Sequence, residues 1–374
     1  MNFDNARGDA SSLSKIRMEK LGIGKKMSKE SGEEGKHTPR DDGASEAVVP
    51  KRNGVKIKWK DFVGSTTFVE SRNLARYSGV ERLFLKFEGN NPTGTQKDRI
   101  ALALASLAKS QGAAAVAAAS CGNFGTALAW AAKLCEVPAH VYIPAGYHLP
   151  EDRVKRMTDA GAEIHYEEGQ YEDVVVLSSK VCKEKGWFDA NPGLDGVREV
   201  SLEAYAEIAY EIYRDMRRAP DYVFCPVGNG TTLAGIYHGF KKLYEAHKID
   251  ELPRMVATST RRGNPIVKSF LMKSRTMLDL ERTEVKETKF NEPLTNWHSF
   301  DGQEALDAIY ETNGFADYAS DTRMQEFSRL LREEEGLNVL PASASTLAVL
   351  HDLADTRVTI KGTFVAILTG RDFT

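Results

Sequence analysis

Asn90-Asn91-Pro92-Thr93-Gly94-Thr95-Gln96-Lys97-Asp98-Arg99 puts a lysine where ordinary helix chemistry would leave one out. Asn91-Pro92-Thr93-Gly94 has the residues of a type I turn, with Asn first, Pro fixing φ at the second position and Gly fourth. A helix is predicted to follow at once. Thr95 is its expected N-cap, Asp98 completes a capping-box-like pair, and Ile100, Ala103, Leu104, Leu107 and Ala108 fall at helical spacing. Lys97 then lies in the first turn, where the helix dipole disfavours an exposed cation by about 0.3–1 kcal/mol. The same field lowers an amine's pKa, which is what a Schiff-base lysine or an amine nucleophile needs. A solvated lysine near a helix start is the plainer reading, and this stretch alone does not separate the two.

Working outward, Leu83 to Glu88 reads as the strand that delivers the lysine loop. Ala114 to Ala119 is a short buried strand, and Ser120-Cys121-Gly122-Asn123-Phe124-Gly125-Thr126 is a loop before a helix carrying Ala127, Leu128, Ala131 and Leu134. Backbone N–H groups at that helix start, freed by Gly122 and Gly125, suit a carboxylate or a phosphate. His140 to Pro144 and Glu163 to Tyr166 are strands, separated by a helix from Glu151 to Ala160, and a further helix covers about Tyr171 to Glu184. This alternation implies a parallel sheet. Trp187 to Gly193 marks a crossing between domains, followed by a long helix from about Arg198 to Met216.

The strand Tyr222 to Pro226 runs into a second glycine loop, Val227-Gly228-Asn229-Gly230-Thr231-Thr232, at another helix start. Its two hydroxyls suit a phosphate. The dinucleotide fingerprint is missed, because Leu233 stands where the third glycine belongs, and Gly94 is followed by Thr-Gln-Lys rather than the Lys-Ser/Thr of a P-loop. Neither NAD nor ATP is favoured. Further on come a strand from Arg254 to Ser259, a cationic turn at Arg261-Arg262, and an amphipathic helix from Asp321 to Glu335 stopped by Gly336. Residues 272–300 declare no element. Pro341-Ala342-Ser343-Ala344-Ser345-Thr346 opens a helix, and a last strand, Phe364 to Leu368, ends in Thr369-Gly370.

The 374 residues suffice for two domains, and a net charge of -3 offers no basic field to nucleic acid or a membrane surface. Substrates are expected to be small molecules. Cys121, Cys135, Cys182 and Cys225 form no C-x-x-C pair, so a reducing, cytoplasmic setting fits. The longest apolar runs are about half a membrane span. The eight histidines show no metal-ligand spacing, and no metal is expected. Residues 1–50 have the polar, charged composition of a mobile tail, within which Met18 or Met27 could be the start.

Five stretches now stand together: Asn91 to Arg99, Ser120-Cys121-Gly122-Asn123, Pro226-Val227-Gly228-Asn229-Gly230, Pro341-Ala342-Ser343-Ala344 and Leu368-Thr369-Gly370. In this order they resemble the pyridoxal-phosphate enzymes of fold type II, the tryptophan synthase β-like family, and look most like the threonine synthases. The resemblance implies an α/β fold of two domains, each a mostly parallel open sheet flanked by helices. Residues 86–191 would be the smaller domain with the Asn loop; 51–85 with 192–374 would be the larger. It implies pyridoxal 5'-phosphate, held by Lys97, which would then move protons. Asn123 would hydrogen-bond the ring's phenolic oxygen, Gly228, Asn229, Gly230, Thr231 and Thr232 would seat the phosphate, and Thr369 would face the pyridine nitrogen. An amino-acid substrate would lay its carboxylate on Ser120, Cys121, Gly122 and Asn123. A homodimer is typical of the family.

The implied reaction is elimination or replacement at the β or γ carbon in amino-acid biosynthesis, foremost O-phosphohomoserine and water to threonine and phosphate. Thr95, Arg198 and the Arg261-Arg262 pair are the candidates for a distal phosphate. Two departures bear on the substrate: Thr95-Gln96 replaces the usual Ser-Phe, and Ile100 the usual Gly. Gly230-Thr231-Thr232 also leans toward relatives that act on O-activated serine or dehydrate threonine or serine. The zinc ribbon of some relatives is absent. A regulatory protein that binds the cofactor without turnover, and a nucleotide-binding α/β protein, are the competing classes. Lys97 with Asn123 and Thr369 speaks against the latter, and a complete set of cofactor-site groups favours catalysis over the former.

Overall fold

The computed structural model describes residues 62–120, 122–147, 149–261, 263–354 and 359–373. The expected tail, Cys121 and Arg262 lie outside the described residues. Strand β2 (Val80–Phe87) does deliver the lysine loop, and it belongs to a six-stranded sheet. Its companions are β1 (Thr67–Glu70), β7 (Tyr222–Pro226), β8 (Arg254–Thr260), β9 (Phe315–Ala319) and β10 (Ile360–Leu368), in the order β1-β2-β10-β7-β8-β9. Only β1 and β2 run antiparallel.

The side-chain period of two sorts this sheet's core. Phe224, Phe364 and Ala366 face one side, against Met324, Phe327 and Leu331 of α10 (Asp321–Glu335) and Leu347 and Leu350 of α11 (Ser345–Leu353). Val223, Cys225, Val365 and Ile367 face the other, against α6 (Asp195–Met216) and α7 (Thr231–Glu245). With both faces covered, these strands read as continuous apolar runs. Each fully buried leucine, such as Leu83 and Leu85, contributes about 1.5–3 kcal/mol.

A second sheet has the order β5-β4-β3-β6, all parallel, from β3 (Val116–Ala119), β4 (Ala139–Pro144), β5 (Glu163–Glu167) and β6 (Phe188–Asp189). Val116, Ala118, Val141 and Ile143 pack on α2 (Lys97–Ser110) and α3 (Asn123–Cys135). Ala117, Ala119 and Tyr142 face α5 (Tyr171–Lys185). The alanine-rich β3 allows this close helix packing, since its alanine side chains put only a methyl between two layers. The remaining helices are α1 (Arg72–Tyr77), α4 (Glu151–Asp159), α8 (Pro265–Leu271) and α9 (Gly302–Glu311).

Residues 272–300, which show no periodicity, form irregular chain of turns and bends with one-turn 3-10 helices at Arg282–Glu284 and Glu292–Leu294. Among the described residues no helix is long and apolar enough to cross a membrane.

Candidate active site

Four strand ends meet at one place. The loops after β2, β3, β7 and β10 all open on a cavity of about 460 Å³, within the range of small-molecule sites. Lys97 lines it, together with Gln96, Ile100, Ser120, Gly122, Asn123, Ser343 and Thr369. Gly228, Asn229, Gly230, Thr231 and Thr232 complete the wall opposite.

The lysine loop is held from two sides. The turn closes as expected, with Gly94 N–H donating to Asn91 O at 2.9 Å. Beyond β10, Thr369 and Gly370 run antiparallel to the loop: Gln96 N–H donates to Thr369 O at 2.9 Å, and Thr95 bridges Gly370. The capping differs from the expected box. The helix begins at Lys97, whose N–H donates to Thr95 Oγ1 at 3.2 Å, while the Asp98 carboxylate accepts from both Thr93 N–H and Thr93 Oγ1. The N-cap position falls instead on Gln96, one residue after the Thr95–Gly370 bridge.

Behind the lysine, Arg99 is wholly buried in a net-neutral ion cluster. Its guanidinium donates to both Glu88 oxygens at 2.7 and 2.9 Å and to both Glu211 oxygens at 2.9 and 3.0 Å. Lys86 Nζ donates to Glu211 at 2.5 Å and to Thr66 O at 2.9 Å. Glu88 and Glu211 carboxyls are held low by these cations, Glu211 to about 2. The cluster ties β2 and α6 to the first turn of α2.

Burial lowers the Lys97 amine, opposed by the carboxylate of Asp301 and by Cys225. Its Nζ lies 6.0 Å from the Tyr205 ring centroid. Asp301, which the sequence did not single out, accepts from Thr231 Oγ1 at 2.7 Å and from Gly193 N–H at 3.2 Å. It thus joins the second glycine loop to the domain crossing.

Two helix N-termini with glycine at the N-cap end at the cavity, α3 at Gly122, where Ser120 Oγ accepts from Gly125 N–H, and α7 at Gly230. Such N-termini leave donors and a partial positive charge for anions. Gly230 has φ +89°, and a Cβ there would come within 2.7 Å of Ala305 Cβ, so the loop admits only glycine. A Cβ at Gly228 would come within 2.6 Å of Pro293 O. Beside the loop, the buried Tyr205 hydroxyl lies close to Thr232. On the far side, Ser343 and Thr369 hydroxyls meet at 2.7 Å, and Ser343 Oγ accepts from Gly370 N–H at 3.1 Å. A desolvated amine, two helix starts and a hydroxyl pair around one cavity fit a ligand that carries a carbonyl, a phosphate and a ring nitrogen.

Residues 60–370 match the family described as pyridoxal-phosphate dependent enzyme. This chain belongs to that family. As a pyridoxal-phosphate dependent enzyme it is similar to threonine synthase of Methanocaldococcus jannaschii, 30% identical over 78% of this chain and 70% of the relative. Threonine synthase of Methanosarcina acetivorans is 30% identical over 82% of this chain and 74% of its own length. Solved structures share the fold at lower identity. Maize serine racemase, 19% identical, has a TM-score of 0.68 over 84% of this chain and 91% of that one. Threonine deaminase isoform 2 of Solanum lycopersicum, in its processed form and 15% identical, has a TM-score of 0.67 over 98% and 91%.

Not every expected site residue comes to the cavity of this pyridoxal-phosphate enzyme. Arg198 is committed elsewhere: Nη1 lies 3.1 Å from Asp195, and Nε 3.1 Å from Glu304 and 3.5 Å from Asp301. Its helix presents Val197 and Ser201 to the cavity instead. Thr95 is buried in the loop that it shapes, and Arg261 borders a separate surface hollow. Conversely, the unassigned stretch 272–300 supplies Arg282, Glu287, Glu292 and Trp297 to the cavity, and α5 supplies Glu172. No local periodicity marks such residues. Their placement follows from chain crossing the cavity mouth, which only the tertiary structure reveals.

Proposed function

We propose that this pyridoxal-phosphate dependent enzyme eliminates or replaces a group at the β or γ carbon of an amino acid, with a threonine synthase-like reaction on O-phosphohomoserine as the leading case. The observation that carries the reading is the desolvated Lys97 amine between the Asn123 helix start and the Gly228–Thr232 loop. In it, Lys97 holds the cofactor and moves protons; Gly228 to Thr232 seat its phosphate, Asn123 meets its phenolic oxygen, and Thr369 with Ser343 meets its ring nitrogen. The bound cofactor supplies the electron sink. A hydroxyl at the ring nitrogen does not enforce protonation as a carboxylate would, which favours elimination over transamination. The substrate carboxylate takes the α3 start, where Ser120 Oγ orders the loop by accepting from Gly125 N–H at 2.7 Å. Threonine synthases that are 30% identical over most of this chain support the choice of substrate.

One observation favours a second reading, dehydration of threonine or serine. The outer wall carries Glu172, Glu287 and Glu292, and burial raises the Glu292 carboxyl. The neighbouring Arg282 is engaged by Asp173 through two bonds of 2.8 and 2.9 Å. Such a wall suits a departing hydroxyl, which needs a proton, better than a phosphate dianion, which needs cations. Incubation with O-phosphohomoserine, O-phosphoserine, O-acetylserine, threonine and serine, following phosphate, acetate, ammonia and new amino acids, separates the cases. Threonine and phosphate from O-phosphohomoserine alone is the expected result. Ammonia and a keto acid from threonine would replace it with the second reading.

A further inference from the structure

Two of the histidines come together once the chain is folded. His140 and His165 are far apart in sequence, but β4 and β5 are adjacent parallel strands in which His140 stands opposite Glu163 and Tyr142 opposite His165. Since side chains alternate along a strand, His140, Tyr142, Glu163 and His165 share one face. His140 Nδ1 and His165 Nε2 lie 3.0 Å apart, and Glu163 oxygens lie 3.6 Å from each of these nitrogens. We propose that His140, Glu163 and His165 form a binding site for one divalent transition-metal ion, completed by water.

The spacing carries the argument. Ligand atoms bound at about 2.0–2.1 Å and at angles between octahedral and tetrahedral stand about 2.8–3.4 Å apart. The nitrogen pair already meets this, and the glutamate oxygens need to move only a few tenths of an ångström. A hydrogen bond between the two imidazoles is the simpler account of their contact. It uses two of the three groups and leaves the carboxylate beyond hydrogen-bond reach of both rings. An ion at the centre engages all three.

The rings are also fixed in advance. Trp187 stacks on His140 at 3.9 Å and Tyr142 on His165 at 4.5 Å, so binding costs little further side-chain freedom. Glu163 is 66% exposed, which leaves the solvent side for water. Two imidazoles and one carboxylate select zinc, cobalt, nickel or copper over magnesium or calcium. The ion would tie the edge strand β5 to β4, whose following loops supply Tyr147 and Gln170 to the cavity wall.

The test uses the full-length, cofactor-loaded protein, stripped with a chelator and titrated with Co²⁺ by calorimetry and visible absorption. One Co²⁺ per chain is expected, displaced by Zn²⁺, with a melting temperature raised by either ion. The H140Q/H165Q variant should keep its cofactor absorbance and bind Co²⁺ at least about tenfold more weakly. Glu163→Gln, at an exposed position that does not threaten folding, should also weaken binding and change the spectrum. Failure of the wild type to bind Co²⁺, or unchanged affinity and spectrum in Glu163→Gln, would overturn the site.

Discussion

The role proposed for Lys97 combines two requirements that usually conflict: the residue must be positioned by a helix start and must not remain a solvated ammonium. Burial resolves the conflict, lowering the amine while Asp301 keeps a compensating carboxylate within the same electrostatic neighbourhood. Replacing it with alanine is expected to reduce turnover by at least about 10²–10⁴, the usual worth of a positioned acid-base group, before counting the covalent role proposed for it. Borohydride reduction of the wild type should leave the cofactor's mass on the Lys97 peptide. A Lys97→Ala variant that turns over at near-normal rate, or a label on another lysine, would reassign the residue. The reverse case is Arg198, a cation expected at the site from sequence and drawn in space into ion pairs with Asp195, Asp301 and Glu304. Whether a cation is free depends on partners that sequence spacing does not reveal.

At the level of elements, the Arg99 cluster sets the axial and rotational position of α2 through groups on β2 and α6. Glu211→Gln would leave Arg99 and Lys86 buried against Glu88 alone, a loss of about 3–5 kcal/mol by analogy with broken buried pairs. Its pH dependence follows from the direction of the shift. The folded-state value of about 2 lies below the ordinary 4.5, so Glu211's stabilisation is complete above about pH 4.5 and fades as the pH falls toward 2. Urea unfolding of wild type and variant should therefore differ most near pH 7 and converge in acid; equal midpoints at pH 7 would show the cluster to be energetically idle. The same elements show what sequence could and could not disclose. Strand β7 and helix α10 fall at the expected residues, Tyr222–Pro226 and Asp321–Glu335, because apolar period and terminal Gly or Pro agree there. Helices α8 and α9 and strand β9 escaped notice, being short and embedded in polar sequence. The His140–His165 meeting escaped for another reason: spacing rules describe ligands on one helix or hairpin, whereas these sit on neighbouring parallel strands joined through α4.

For the whole molecule, we propose a division into residues 86–191 and residues 51–85 with 192–374. All strands of the four-stranded sheet lie within the first segment, while β2 reaches Phe87 in the other sheet, two residues past the border. The exposed residues 194–196, where the chain returns from the first unit and enters α6, are the expected place of the first protease cut. Limited proteolysis of the cofactor-loaded protein, followed by mass spectrometry, should show cleavage there before any cut within β7, β8 or β10. Early fragments ending between 222 and 260 would contradict the division.

Strand β10 lies between β2 and β7, and its continuation holds the lysine loop. Translation delivers these parts in an unfavourable order. The ribosome releases β2, the lysine loop and β7 well before residues 360–370 emerge, so the nascent chain carries two open apolar edges facing a gap where its central strand belongs. Gln96 N–H likewise has no Thr369 carbonyl to meet until then. Fastening of the lysine loop is thereby deferred until β10 has been made, and a chain that stalls before β10 keeps Lys97 on an unfastened loop.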